Sequence, residues 1–362
     1  MTSSPPTLPD RSAPAPPNSE TSDSAKADHA DRPGSNPSGS SQPDRKSPDS
    51  PGSSQPDRKS PDRPGTDRPQ PDRKKLWMAA IKPPMYSVAI MPIWWGTALA
   101  YGHQEQIRGG IFALFLGAAI LILAWENISN DVFDSETGID INKAHSLVNL
   151  TQRKQLVFWI GNLCLATGIT GIGTIAWIQQ DWTVLGLVLA CCVLGYLYQG
   201  PPFRLGYQGL GEILCFFAFG PLAVSAAYYS QTQDWSGDAQ IASIVLGLTT
   251  SLILLCSHFH QVEDDLAAGK RSPIVRLGTA LGAKVVAAAC VAIYVLILGL
   301  TLTGYTPLLT LLSLAGVPAA WKLSRLLLQH HAEPKIIQNS KFIAVNLHFW
   351  SGLGFGLGLF LS

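Results

Sequence analysis

The sequence predicts an all-α protein, a polytopic bundle of about nine transmembrane helices that follows a disordered N-terminal tail. Three observations support this fold class. Only 14% of the 362 residues are charged. Apolar runs long enough to cross a bilayer recur from residue 84 to the end of the chain. The first 75 residues consist almost entirely of Pro, Ser, Asp, Arg, Lys, Gly and Gln.

The tail, residues 1–75, is too poor in apolar side chains to offset the entropy lost on ordering. Its segment 39–49 recurs unchanged as residues 52–62, and a repeat of this composition predicts a solvated linker. The acidic and basic residues of the tail nearly balance, so we expect no binding to nucleic acid. We therefore predict two parts, a disordered tail (1–75) and a membrane domain (76–362).

The membrane domain contains nine apolar stretches. Their approximate bounds are 84–101, 109–126, 156–178, 183–198, 211–229, 240–257, 284–303, 307–323 and 342–361. If the N-terminus is cytoplasmic, nearly every Lys and Arg of this domain lies in an inner loop, and only Arg108 lies outside. This distribution predicts an integral, multi-pass protein of the lipid bilayer whose polar loops face the cytoplasmic side.

The second span runs directly into a polar segment after Glu126. Its side chains include Asn127, Asn130, Asp131, Asp134 and Asp140. In a helix, Asn127, Asp131 and Asp134 share a face, as do Asn130 and Asp134. A charged group costs roughly 2.5–3.5 kcal/mol at mid-bilayer, so these residues need water, a partner or a cation. We expect them to bind Mg²⁺, which prefers carboxylate and amide oxygens together with phosphate. The alternative is a solvated helix end, capped by Asp and Asn, before a turn at 137–138.

A second acidic segment follows the sixth span. Its polar residues are His258, His260, Gln261, Glu263, Asp264 and Asp265, followed by Lys270 and Arg271. Four spans separate the two acidic segments, so both emerge at the same face. Mg²⁺ held by these acids would bridge to a diphosphate, and Lys143, Lys270 and Arg271 would neutralise its remaining charge. The alternative is two solvated charge runs. The two histidines predict no zinc site, because residues two apart do not share a helix face.

A third inner loop, residues 198–212, combines Gly and Pro with Tyr198, Arg204 and Tyr207. We expect a tight turn that presents these three side chains. Arg204 is then a candidate clamp for a diphosphate or a carboxylate, and the alternative is an ordinary inner-loop arginine among interfacial aromatic residues. Glu212 lies just inside the next span, and an intramembrane carboxylate is a candidate site residue.

The last span carries Gly352, Gly354, Gly356 and Gly358. Their spacing gives overlapping pairs of small residues four positions apart. Such pairs favour close packing against another helix.

Together, Asn130-Asp131-x-x-Asp134 and the second acidic segment resemble the UbiA superfamily of intramembrane aromatic prenyltransferases. The likeness extends over residues 76–362. The continuation of the first motif to Asp140, and the segment 269–271 (GKR), are similar to the branch that acts on 1,4-dihydroxy-2-naphthoate. Residues 258–263 (HFHQVE) look like the cyanobacterial and plastid members that attach phytyl and lead to phylloquinone.

The resemblance implies a role for each matching residue. The implied metal ligands are Asn130, Asp134, Asp140 and Asp265, together with Glu263 or Asp264. Asp131, from the helix-face pattern, is a further candidate ligand. The residues implied to face the diphosphate are Tyr198, Arg204, Lys270 and Arg271, to which the charge pattern adds Lys143.

By this resemblance the protein is an Mg²⁺-dependent enzyme. It would transfer a long prenyl group, phytyl, from its diphosphate to 1,4-dihydroxy-2-naphthoate with loss of carbon dioxide, in phylloquinone or menaquinone biosynthesis. The catalytic candidates are Asp134, Arg204, Glu212 and Asp265. Two alternatives are a prenyltransferase for another quinone precursor, such as homogentisate, and an ion-coupled membrane transporter. The expected location is a bacterial inner membrane or a thylakoid membrane.

Overall fold

The computed structural model describes residues 73–139 and 143–362, and within these ranges the chain forms helices and no β-strand. The helices are α1 (Arg73–Ile81), α2 (Ser87–Gln104), α3 (Gly109–Thr137), α4 (Leu147–Thr151), α5 (Lys154–Gln179), α6 (Thr183–Gln199), α7 (Gly211–Thr232), α8 (Gly237–Ser257), α9 (Val262–Ala267), α10 (Pro273–Leu277), α11 (Thr279–Leu302), α12 (Leu308–His330), α13 (Pro334–Ile337) and α14 (Ser340–Phe360). The all-α fold class is therefore confirmed. Residues 1–72 of the predicted tail and Asp140 lie outside the described residues, whereas residues 73–75 form the start of α1. The division at residue 75 stays a prediction.

Seven helical segments in the described ranges are long and apolar enough to cross a membrane. They are α3, α5, α7, α8, α11, α12 and the combined segment Pro334–Phe360. The other two predicted spans correspond to α6, which has 17 residues, and to α2, which has 18 but is less apolar. The count of about nine spans is therefore not confirmed, although a helix occupies each predicted position.

Helix α3 continues well beyond its apolar part. The sequence predicts a span that ends near residue 126, whereas the helix has 29 residues and ends at Thr137. Gly138 then adopts φ 78°, a left-handed conformation that terminates helices and suits glycine. The helix therefore carries the whole polar segment 127–134 on a rigid extension of a membrane span.

Two apolar clusters hold the described helices together. In the first, Trp95 of α2 stacks on Phe355 of α14 with ring centroids 4.1 Å apart, and its Nε1 donates to the carbonyl of Gly352 at 2.7 Å. In the second, buried side chains of α2, α3, α5, α6 and α7 meet around Phe115 and Ile172. Many large apolar side chains still point outward, as expected for helices surrounded by lipid.

Helix α7 contains a π-helical turn over Ala218–Leu222, which includes Pro221. Gly220 in this turn lies directly against the backbone of α8 at Gly247. Phe219 of the same turn lines the large cavity described below. Turns of this kind interrupt regular helices at functional sites, and here the turn shapes a cavity wall.

The predicted close packing of the glycine-rich last helix is confirmed. A Cβ atom added at Gly354 would collide with the backbone at Leu312 and Ser313 of α12. We expect Gly354→Ala to lower the free energy of unfolding by about 1–3 kcal/mol, because backbone atoms cannot move aside cheaply. Thermal unfolding of the detergent-solubilised protein measures this loss.

Gly117→Ala is the matched control, because no atom lies within 4 Å of the Cβ position in the middle of α3. This change should leave the unfolding temperature equal or slightly higher, since alanine is the better helix former. Equal unfolding temperatures for the two variants would contradict the packing described here.

Candidate active site

A cavity of about 1060 Å³ lies among α2, α3, α6, α7, α8 and the start of α14. This volume is at the upper end of the range of about 300–1,000 Å³ typical of small-molecule sites. One part of its wall is apolar and includes Ile93, Phe115 and Val188. The other part carries acidic, amide and lysine side chains. The cavity therefore suits an amphiphile with a long apolar tail and a strongly charged head.

Along one face of α3 the residues that line the cavity change from apolar to polar. The lining residues of α3 are Phe115, Ala119, Ile122, Leu123, Trp125, Glu126, Asn127, Asn130 and Asp134. Asn130 and Asp134, one turn apart, both line the polar part, in agreement with the predicted pair. The distance from Phe115 to Asn130 is about 22 Å along the helix axis. A single helix thus links the apolar part of the cavity to its polar part.

Asp131 does not line the cavity, although the sequence suggests it as a metal ligand. Its side chain is fully buried, and its Oδ1 lies 3.1 Å from Lys143 Nζ and 3.7 Å from Lys82 Nζ. Its Oδ2 accepts a hydrogen bond of 2.9 Å from the backbone N–H of Leu147. Asp131 faces away from the cavity because it follows Asn130 by one residue on α3, which places its side chain about 100° further round the helix. These contacts give Asp131 the role of anchoring the chain after α3.

Tyr207 joins the two acidic segments. Its hydroxyl donates to Asp134 Oδ1 at 2.9 Å and lies 2.7 Å from Thr137 Oγ1. The Lys270 ammonium lies 5.6 Å from the centre of the Tyr207 ring, and the backbone N–H of Arg271 donates to the Tyr207 carbonyl at 2.7 Å. Burial and the charge of Asp134 raise the pKa of Tyr207, so its hydroxyl stays protonated and can donate. The segment 198–212 therefore holds both acidic segments at one end of the cavity.

The second acidic segment divides between the cavity and the protein interior. Gln261 and Asp264 line the cavity, whereas Glu263 is exposed and does not. Asp265, the acid expected to bind metal, is fully buried behind the wall. Its Oδ2 lies 3.2 Å from His258 Nδ1 and its Oδ1 lies 3.3 Å from Lys270 Nζ.

These contacts of Asp265 determine its charge. Burial alone would raise the pKa of Asp265, but His258 and the ammonium of Lys270 outweigh burial and lower it. Glu212 also does not line the cavity, and its Oε1 lies 3.5 Å from His258 Nε2. Asp265 and Glu212 therefore flank His258 in a buried row that positions Lys270, and Asp264 is the acid of this segment that faces the cavity.

Four lysines line the polar part of the cavity, namely Lys82, Lys143, Lys270 and Lys341. The sequence predicted two of them as diphosphate contacts and missed Lys82 and Lys341. Each missed lysine lies at or just before the start of an apolar helix, α14 or α2, at the end predicted to be cytoplasmic, which is the signal that could have identified it. His260 also lines this part, and burial followed by the charge of Lys341 lowers its pKa to about 4, so the positive charge comes from the lysines.

Two predicted diphosphate contacts lie elsewhere. Arg204 Nη2 lies 3.0 Å from Glu136 Oε2, and Lys154 Nζ lies 2.8 Å from Glu136 Oε1, in an ion-pair group outside the cavity. Arg271 is exposed, and its backbone holds Tyr207. The predictions for both arginines are corrected accordingly. Tyr198, by contrast, lines the cavity.

The donor set facing the cavity suits a hard divalent cation. Asn130, Asp134, Gln261 and Asp264 contribute only carboxylate and amide groups. No group of three or more His, Cys, Asp and Glu residues in the described part of the chain forms a complete metal cage. Mg²⁺ in proteins is usually held by one or two carboxylates together with substrate phosphates and water. The remaining oxygens would have to come from a bound substrate.

The anchoring role of Asp131 predicts a loss of stability on mutation. Asp131→Ala would leave Lys82 and Lys143 close together and largely buried without their shared carboxylate. Breaking such a pair costs about 3–5 kcal/mol of the free energy of unfolding. Thermal unfolding in detergent should show this loss. Glu136→Ala on the same helix removes exposed ion pairs and should cost at most about 1 kcal/mol. Comparable losses in the two variants would rule out the anchoring role.

The UbiA prenyltransferase family matches residues 89–351 of the chain. A 2-carboxy-1,4-naphthoquinone phytyltransferase of Synechocystis sp. is 55% identical over 283 residues, which cover 78% of this chain and 92% of that protein. The chloroplastic enzyme of the same name in Arabidopsis thaliana is 41% identical over 298 residues, covering 80% and 78% of the two chains.

The fold has a solved counterpart. The structure of a UbiA homologue from Archaeoglobus fulgidus bound to DMAPP and Mg²⁺ superposes with a TM-score of 0.51, covering 79% of this chain and 99% of that chain at 14% identity. The family match and the two close relatives settle the assignment that the motifs suggest. The chain is an integral multi-pass membrane protein that belongs to the UbiA prenyltransferase family.

Proposed function

We propose that this protein transfers a phytyl group from phytyl diphosphate to 1,4-dihydroxy-2-naphthoate with loss of carbon dioxide, in phylloquinone or menaquinone biosynthesis. One observation carries the proposal: a single cavity combines acids and lysines in one part with a long apolar wall in the other. The names of the Synechocystis and Arabidopsis relatives support phytyl as the donor and a carboxylated naphthalene ring as the acceptor.

The polar part of the cavity would bind the diphosphate. Asn130, Asp134 and Asp264 would hold Mg²⁺, which when bound stabilises the negative charge that develops on the departing diphosphate. Lys270 and Lys341 would stabilise the same charge directly. Tyr207 holds Asp134 in place from behind. These groups would act mainly when the allylic carbon–oxygen bond breaks, because its electron pair then leaves with the diphosphate.

The apolar wall would hold the prenyl chain and exclude water. Its residues on α3 extend about 22 Å from the polar part, which accommodates a long isoprenoid. An allylic cation formed near Asn130 would react with water if water could enter. The surrounding helices of the bundle limit that access, so the cation would persist until the aromatic ring captures it.

The electron balance of this step identifies the reactive form of the acceptor. A ring carbon of the dihydroxynaphthoate supplies the electron pair of the new carbon–carbon bond. The bond to the carboxylate then breaks, its pair returns to the ring, and carbon dioxide leaves. The product is a hydroquinone, and no external oxidant or reductant is needed. The quinone form named for the relatives has no such electron pair to donate, so we propose that the reduced ring reacts.

The proposed orientation follows from the charge distribution. The lysines that line the cavity belong to the loops and helix ends expected at the cytoplasmic side under the positive-inside rule. The N-terminus would then be cytoplasmic, and the protein would reside in a bacterial inner membrane or a thylakoid membrane. The diphosphate would leave to the cytoplasmic side.

Replacing Asp134 tests the head-group site. We expect Asp134→Ala to lower the rate of prenyl transfer by about 100-fold or more, because the main carboxylate facing the diphosphate is lost. The measurement is product formation by mass spectrometry with phytyl diphosphate and dihydroxynaphthoate. Glu136→Ala, two residues further along α3 and outside the cavity, is the matched control and should retain activity. Near-normal turnover by an inserted Asp134→Ala protein would contradict the proposal.

Removal of divalent cations tests the metal requirement. Chelation with EDTA should stop the release of diphosphate from the purified protein, and excess Mg²⁺ should restore it. Undiminished transfer in EDTA would refute the role given to Asp134 and Asp264. Offering homogentisate and solanesyl diphosphate in parallel reactions distinguishes the alternative acceptors and donors by product mass.

A further inference from the structure

A second group of polar atoms lines the cavity deeper than the diphosphate site. Glu126 lies one helical turn before Asn130 on the same stripe of α3, about 6 Å further into the membrane. Its neighbour across the cavity wall is Gly195 of α6, where an added Cβ atom would lie 2.5 Å from Glu126 Oε2. The carboxyl group therefore fits against bare backbone, at the boundary between the polar and apolar parts of the cavity.

The Glu126 carboxyl has no hydrogen bond or ion pair with any residue in the described ranges. An intramembrane carboxyl without a partner is costly and is retained where it meets a ligand or substrate. Glu126 supports none of the residues proposed to bind the diphosphate. The free-energy cost of burying its carboxyl is therefore explained only if a different ligand group binds to it.

Gln199 provides an independent second observation. It is 98% buried, lines the same cavity and donates through Nε2 to the backbone carbonyl of Glu126 at 3.0 Å. Its Oε1 is buried and has no hydrogen-bond partner. Gln199 lies one turn after Gly195 on α6, so α6 both packs against the Glu126 carboxyl at Gly195 and holds the Glu126 backbone through Gln199.

The Glu126 carboxyl presents a hydrogen-bonding group to the cavity, whereas Gln199 Oε1 is buried and does not open to it. The ligand at this depth must therefore carry a polar group. A prenyl diphosphate carries none here, because its chain is hydrocarbon. A dihydroxynaphthoate ring carries hydroxyl groups, which can form a hydrogen bond with a carboxyl.

We propose that Glu126, held in place by Gln199, binds a hydroxyl group of the aromatic acceptor. This inference rests on the proposed function and adds the part of the cavity that holds the second substrate. The ring would lie between the diphosphate end and the apolar wall, next to the allylic carbon. Binding through the hydroxyls would also direct electron density into the ring carbon that forms the new bond.

Steady-state kinetics of the full-length protein in lipid nanodiscs, with dihydroxynaphthoate kept reduced by dithionite, test this assignment. Glu126→Leu should raise the KM for dihydroxynaphthoate by about ten- to hundredfold, the effect of losing a buried hydrogen bond. Gln199→Leu should raise the same KM by a smaller factor, because Gln199 acts through the Glu126 backbone. The KM for phytyl diphosphate should change by less than about twofold. Glu126→Gln, which keeps one acceptor oxygen, should lie between wild type and Glu126→Leu. Glu136→Gln is the matched control outside the cavity.

An unchanged KM for dihydroxynaphthoate in Glu126→Leu, or a rise in the KM for phytyl diphosphate instead, would overturn this inference while wild-type turnover upholds the proposed function. A wild-type enzyme that forms no prenylated naphthoquinol would overturn both.

Discussion

Opposite charges held at one end of an apolar cavity are the constraint on which the rest of the described membrane part depends. Burying charge in a membrane is expensive unless each group has a partner. Here Asp131 forms ion pairs with Lys82 and Lys143, Asp265 forms an ion pair with Lys270, and Tyr207 donates to Asp134. These contacts come from separate parts of the chain, so the loops that supply them are tied together over the cavity. The acids and lysines that still face the cavity can then act on a ligand.

The distribution of charge in the cavity also distinguishes a prenyltransferase site from the pathway of an ion transporter. A transporter needs polar groups along a path across the bilayer. The cavity instead has its dense charge at one end and apolar residues such as Ile93 and Phe115 deeper in the bundle. Glu126 and Gln199 lie at the boundary and not beyond it. The cavity thus has three successive environments, suited to a diphosphate, an aromatic ring and a hydrocarbon chain.

Local periodicity made the fold class and part of the site predictable from sequence. The helix positions follow from the apolar stretches of the sequence, and the Asn130–Asp134 pair and the close packing of Gly354 follow from spacing within one helix. Some errors arise where a side chain's direction depends on a distant partner. Arg204 pairs with Glu136, 68 residues earlier in the chain, a contact that no local pattern reveals. Asp265 instead pairs with His258 and Lys270 of its own segment, where the chain leaves regular helix and helical spacing no longer gives the direction of a side chain. Lys341 joins the site only because α14 packs beside α2 and α8, and the chain order gives no hint of that.

A structure of the protein with Mg²⁺ and a non-cleavable thiodiphosphate analogue of phytyl diphosphate would test most directly whether both acidic segments bind one ion. We predict one site in which the ion contacts Asp134 and the segment 261–265, at the distance of about 2.0–2.1 Å usual for Mg²⁺. The diphosphate should lie beside Lys270 and Lys341, with the phytyl chain running toward Phe115. An ion held by only one of the acidic segments, or a diphosphate bound outside this cavity, would contradict the central claim.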